Sequence, residues 1–72
     1  MTSSLSVDIA SPPDRENLVA EVFVGVEQIF ELNTESGELM LEVYPRQDGE
    51  PWRLSLDALM EALSNAKKRL VG

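Results

Sequence analysis

The residues of this chain that could do chemistry are its carboxylates, Tyr44 and a scatter of serines. General acid–base and nucleophilic catalysis usually draw on His or Cys, or on a Ser or Lys beside an identifiable base. The chain contains neither His nor Cys. Its serines are Ser3, Ser4, Ser6 and Ser11, then Ser36, Ser55 and Ser64, and none lies at a spacing that marks an activated nucleophile. Glu38 and Glu42 alternate along one stretch and would share a sheet face, but a glycosidase-type pair also needs a cleft, which 72 residues hardly supply. The chain therefore reads as non-enzymatic, with carboxylate chemistry in a site shared between subunits as the enzymatic alternative.

Metal and cofactor chemistry is equally short of ligands. Zinc and copper lack their favoured nitrogen and thiolate donors, and no disulfide can form. Asn33–Tyr44 carries acids and a glycine, as a calcium loop does. An EF-hand, however, needs its glycine sixth and a bidentate Glu twelfth. Counted from Asn33, Gly37 is fifth and Tyr44 twelfth. No glycine-rich phosphate loop occurs. The expectation is no cofactor and no metal.

Charge narrows the partners. Thirteen acidic residues face six basic ones, for a net charge of −7. Lys67, Lys68 and Arg69 cluster near the C-terminus, so residues 1–66 set the same thirteen acids against Arg15, Arg46 and Arg53 alone, a net −10. Such a surface repels nucleic acid and anionic membranes and suits a basic protein partner; net charge also keeps a small domain in solution. No run approaches the roughly 20 apolar residues of a membrane span. The N-terminus lacks the basic-then-apolar order of a secretory signal, which makes a cytoplasmic location the default.

The elements that must carry these residues centre on 29–56. Two alternating apolar runs, Ile29–Asn33 and Glu38–Tyr44, flank a turn at Thr34–Gly37, and a second turn at Arg46–Glu50 leads to a third run, Trp52–Leu56. In the second run Leu39, Leu41 and Val43 point one way, and Glu38, Met40, Glu42 and Tyr44 the other. Pro45 ends that strand because it has no N–H for the ladder. Residues 57–71 follow as a helix: Leu59, Ala62, Leu63, Ala66 and Leu70 form one stripe, and Ser55 or Asp57 serves as N-cap. The acids Asp57 and Glu61 and the bases Lys67, Lys68 and Arg69 complement the helix dipole.

The first third of the chain is ambiguous. Met1–Ala10 is Ser-rich and reads, with residue 11, as a disordered tail before a single domain over 12–72; Val7 and Ile9 alternate as in a short strand, but the run is brief. Ser11-Pro12-Pro13-Asp14 carries the signals of a helix start, and Leu18, Val19, Val22, Phe23, Val26, Ile29 and Phe30 fit a helical stripe. Val22, Val24 and Val26 also alternate as in a strand, and Gly25 is poor helix material. The reading favours a helix over Asp14–Gln28, with a long first strand as the alternative. That strand, from Leu18 to Asn33, would run roughly 50 Å and so need a break or a second subunit. The fold class is α+β: a small antiparallel three-stranded meander with the C-terminal helix on one face.

The candidate interface is the outer sheet face. Ile29, Met40 and Tyr44 form an apolar trio among Glu31, Glu38, Glu42 and Arg53, as in an interface core and rim, while Trp52 belongs by parity with the inner face. With no disulfide or metal to reinforce a small core, self-association remains, and a homodimer is expected. The function expected is a small acidic interaction or regulatory accessory module. The alternative is a mimic of nucleic-acid charge, of antitoxin, immunity or phage-inhibitor type, that binds a basic protein. Finally, Gly37, Gly49, Glu50 and Arg53 match a spacing within the conserved half of the FlaG family of flagellar proteins, which the run Ile29–Leu63 resembles. The likeness stops after Arg53, where that family's Ile-Pro is replaced by Leu54-Ser55-Leu56. It implies a flagellar or secretion accessory role.

Overall fold

The computed structural model describes residues 5–72. Strands β1 (Leu5–Ala10), β2 (Val19–Val24), β3 (Glu27–Asn33) and β4 (Met40–Val43) form one antiparallel sheet in chain order, and helix α1 (Leu56–Val71) follows. The fold is α+β, a meander with one C-terminal helix packed on one face, and it has four strands where the sequence suggests three.

Three expectations need correction. Asp14–Gln28 is not a helix. Only the turn Pro12–Arg15, closed by the Arg15 N–H donating to the Pro12 carbonyl, follows the Ser-Pro-Pro-Asp signal. The valine-rich run then goes extended. It breaks at Gly25, whose φ of 60° no bulky residue adopts readily, and a two-residue loop folds β3 back on β2. The break needed by a strand as long as Leu18–Asn33 is thus supplied within the chain.

Next, Leu5–Ala10 belongs to the sheet and not to a tail; Met1–Ser4 lie outside the described residues. Leu5, Val7 and Ile9 face the core, opposite Val24, Val22 and Ala20 of β2. Last, Trp52–Leu56 is no strand. It crosses the inner face as extended chain and delivers α1 to it, with Trp52 and Leu54 packed against the core margin. Both turns expected from the sequence are present: the Gly37 N–H donates to Thr34 and the Gly49 N–H to Arg46, each at 3.0 Å.

The core lies between the sheet and α1. Val7, Ala20, Val22, Phe30 and Leu32 meet Ala62 and Ala66, whose small side chains let the helix approach closely, with Leu59, Leu63 and Leu70 beside them. Ser55 caps α1 by accepting from the Ala58 N–H at 3.3 Å, and the Gly72 N–H closes the other end on Lys68. Between Phe30 and Gln28 the β2–β3 register slips by one residue, leaving Ile29 as the extra residue of a bulge. Ile29 is consequently turned into the core beside Phe30, only 1% exposed, instead of standing on the outer face with Glu31.

The helix lies over β1 and β2, touches β3 and does not reach β4. Arg69 ties its last turn to β1, donating to the Val7 carbonyl at 2.7 Å. No helix among the described residues is long and apolar enough to cross a membrane.

Candidate functional site

The strand registers bring four acids into one row across the outer face. Asp8 faces Glu21, Glu21 faces Glu31, and Glu31 faces Glu42, one residue from each strand. Like charges directly opposed on neighbouring strands destabilise a sheet. At the β3–β4 end the conflict is resolved by Arg15, which the Pro12–Arg15 turn holds over the row. Its Nε donates to Glu31 Oε2 at 3.0 Å and its Nη2 to Glu42 Oε2 at 2.9 Å. Asn33 Nδ2 donates to the same two carboxylates, and Tyr44 OH donates to Glu31 Oε1 at 3.3 Å. Glu31 and Asn33 are 4% and 2% exposed. A carboxylate this buried is tolerated because three donors surround it.

The electrostatics follow from this crowding. Burial works against the charge of Arg15, but Glu31 and Glu42 outweigh it and hold the guanidinium more firmly protonated. Burial, reinforced by Glu31 and Glu42, pushes the Tyr44 phenol up, so it remains a donor. At the other end of the row no cation among the described residues pairs with Asp8 or Glu21. Burial, then Glu31 and Asp8, push the Glu21 carboxyl above its ordinary 4.5. A carboxyl raised in the folded state contributes stability below its unfolded value and loses it as pH rises through its folded value.

Glu35 behaves oppositely and pins the loop that carries Arg15. Its carboxylate accepts from the Glu16 N–H at 2.9 Å and the Asn17 N–H at 3.0 Å. The Glu16 bond, chiefly, holds its carboxyl below the ordinary 4.5, although burial opposes it. A carboxyl lowered in the folded state contributes stability that is complete above its unfolded value and is lost as pH falls through its folded value. Glu35→Gln is therefore expected to flatten the fall in stability below about pH 4.5, read by urea denaturation at successive pH values. A variant with the native slope would show that the loop is not held by this charge.

The expected interface residues are thus divided. Glu31, Glu42 and Tyr44 join one network; Ile29 is in the core; Glu38, Met40 and Arg53 are exposed; Trp52 is half-buried and donates to the Tyr44 carbonyl at 3.0 Å. Arg15 and Asn33, which sequence reading does not select, are central. Their sole sequence signal is that the acids of 29–44 must find donors, and which donors they find depends on a loop whose path no pattern reveals. Among the described residues no group of three or more acids is arranged to hold a metal ion.

No family model matches this chain, and no curated protein or solved structure is significantly similar to it. The partial likeness to the FlaG family therefore gains no support.

The other surface of note is apolar. Because α1 stops short of β4, Leu41 and Val43 on the inner face are 48% and 63% exposed. Leu56 and Met60 are exposed on the helix and lie, at 100° per residue, on the flank away from the Arg69 side that grips β1. An open hollow of about 550 Å³, lined among others by Val43, Tyr44 and Trp52, continues the strip past Pro45, and Arg46 lies 5.8 Å over the Trp52 ring.

Proposed function

We propose that this chain is a non-enzymatic protein-interaction module that associates with itself. The observation that carries this reading is the uncovered half of the inner sheet face, where Leu41 and Val43, with Leu39 just before them, stand exposed along the edge strand β4. Isolated exposed apolar residues need no explanation, but a contiguous strip along an unpaired strand marks an interaction surface. Sedimentation equilibrium at micromolar concentration is expected to give twice the 8.0 kDa chain mass, and Leu41→Asp should shift the equilibrium to monomer with the helix content intact. A native chain that stays at 8.0 kDa at every concentration overturns the reading.

The row of acids favours a second role alongside the first, docking of a basic protein on the outer face. Arg15 engages Glu31 and Glu42 and leaves Asp8 and Glu21 for an incoming cation. Exposed charge acts chiefly on association rate and is screened beyond about 8–10 Å at physiological salt. The on-rate of a basic partner should fall as salt rises, and Asp8→Asn with Glu21→Gln should flatten that fall. An on-rate indifferent to both would leave the acids a role in solubility alone.

A further inference from the structure

We infer that two copies of this chain pair through β4 in antiparallel register about a two-fold axis at Leu41, joining their sheets into one of eight strands. The inference rests on the self-association proposed above and specifies its geometry.

The free edge comes first. The Tyr44 N–H donates to the Ile29 carbonyl, which makes the neighbouring Phe30–Val43 pair a non-hydrogen-bonded one. By alternation Met40 and Glu42 direct their backbone groups to β3, while Leu41 and Val43 direct theirs to the open edge. Leu39 continues that pattern one step before the strand. The edge therefore offers the N–H and C=O groups of Leu39, Leu41 and Val43, and the side chains of the same three residues are apolar and exposed.

A two-fold axis demands self-complementarity, since each residue that meets a partner must be met by it in return. Centring the axis on Leu41 sets Leu41 against the partner's Leu41 and Leu39 against the partner's Val43, all hydrogen-bonding pairs, for six backbone bonds. On the outer face Met40 then stands opposite the partner's Glu42. Shifting the axis to Glu42 opposes the two Glu42 carboxylates directly, and shifting it to Met40 opposes Glu38 to Glu42, both like-charge contacts. Shifting it to Val43 pairs Leu41 with the partner's Pro45, which has no N–H to give. Of the four registers centred within β4 (Met40–Val43), only the Leu41 one avoids every conflict. Its odd-numbered residues add no charge to the seam, which lets copies of net charge −7 approach there.

The footprint is modest. Specific, stable interfaces bury about 1,200–2,000 Å² in total, and a seam of five residues on each side lies below that range. It suits a reversible, concentration-dependent dimer. The far edge of the sheet is less open to further strands, because the Val7 carbonyl of β1 already accepts from Arg69.

The absence of native cysteine allows a direct test. Residues in a hydrogen-bonded antiparallel pair have Cα atoms about 5.5 Å apart, within the span a disulfide bridges. Under mild oxidation Leu41→Cys should form a covalent dimer readily. Val43→Cys, displaced from its own copy by roughly four residues, about 14 Å at 3.4 Å each, should not, and neither should Val26→Cys at the β2–β3 tip. A measurement on the unmodified chain accompanies this: amide exchange at Leu39, Leu41 and Val43 should slow at least tenfold as concentration carries the chain from monomer to dimer, while Met40 and Glu42 change little. A native dimer in which the Leu41→Cys variant links no faster than Val26→Cys and the three amides stay fast overturns the β4 seam and leaves self-association standing. Ready linking of the Val43→Cys variant instead overturns the register. A chain monomeric throughout overturns both.

Discussion

Phe30→Ala is expected to leave most of the chain unfolded at 25 °C. Truncating a buried Phe costs about 3–5 kcal/mol, and a core of this size rarely supplies more than about 3–5 kcal/mol of net stability. Phe30 lies between Val22 and Val43 in the sheet and packs with Ile29 at the bulge, so the space it leaves cannot be filled by a simple slide of either strand. Circular dichroism melts and urea titration should show a broad, low transition or none. Ile29→Val provides the graded comparison, at about 0.5–1.5 kcal/mol. Leu41→Ala, on the exposed strip, should fall well below both in dilute solution. If Phe30→Ala melted like Leu41→Ala, the pairing of Ile29 and Phe30 in the core would be wrong.

Asn33→Ala should produce the next largest loss, about 1.5–3 kcal/mol, the range for hydrogen bonds to charged groups. Its amide nitrogen serves both Glu31 and Glu42, and its carbonyl oxygen accepts from the Glu35 N–H at 3.2 Å. Removing it leaves a buried carboxylate short of a donor and frees the turn that pins the Arg15 loop. Asn33→Asp should be worse, because it places a third carboxylate beside two that already oppose each other across the strands. A double-mutant cycle with Arg15→Gln should show coupling, since both side chains serve the same oxygen atoms. A loss under about 0.5 kcal/mol, the range of ordinary surface substitutions, would mean that water replaces the amide freely and the network is only superficially buried.

How much of this fold is legible in the sequence depends on whether one period dominates locally. Residues 38–44 alternate strictly, and 56–71 keep one helical stripe between a serine cap and a terminal glycine, so both elements emerge directly. Residues 14–28 satisfy two periods at once. What decides between them is Gly25, a single residue whose positive φ makes a hairpin, and the gain from pairing β2 on both sides. Leu5–Ala10 alternates Leu5, Val7 and Ile9 with Ser6 and Asp8 but is too short to announce itself; it becomes a strand because β2 offers it an edge and Arg69 holds it there. The bulge at Ile29 is the least legible feature, since parity assigns that residue to the wrong face and only the register of a partner strand corrects it. The acid row is hidden for the same reason: Asp8, Glu21, Glu31 and Glu42 are unremarkable until four strands are aligned.

The contact between Arg69 and Val7 spans 62 residues, and it sets an order of events during synthesis. It cannot form until residue 69 has cleared the ribosome, whereas β2, β3 and β4 are joined by short turns and can pair as they emerge. At about 5–20 residues per second, residue 69 is added on the order of seconds after β4 is complete. Until α1 is in place the face bearing Val22, Phe30 and Leu32 has no cover. Until α1 docks, the chain is an open apolar sheet, and this is the stage at which it is most exposed to aggregation.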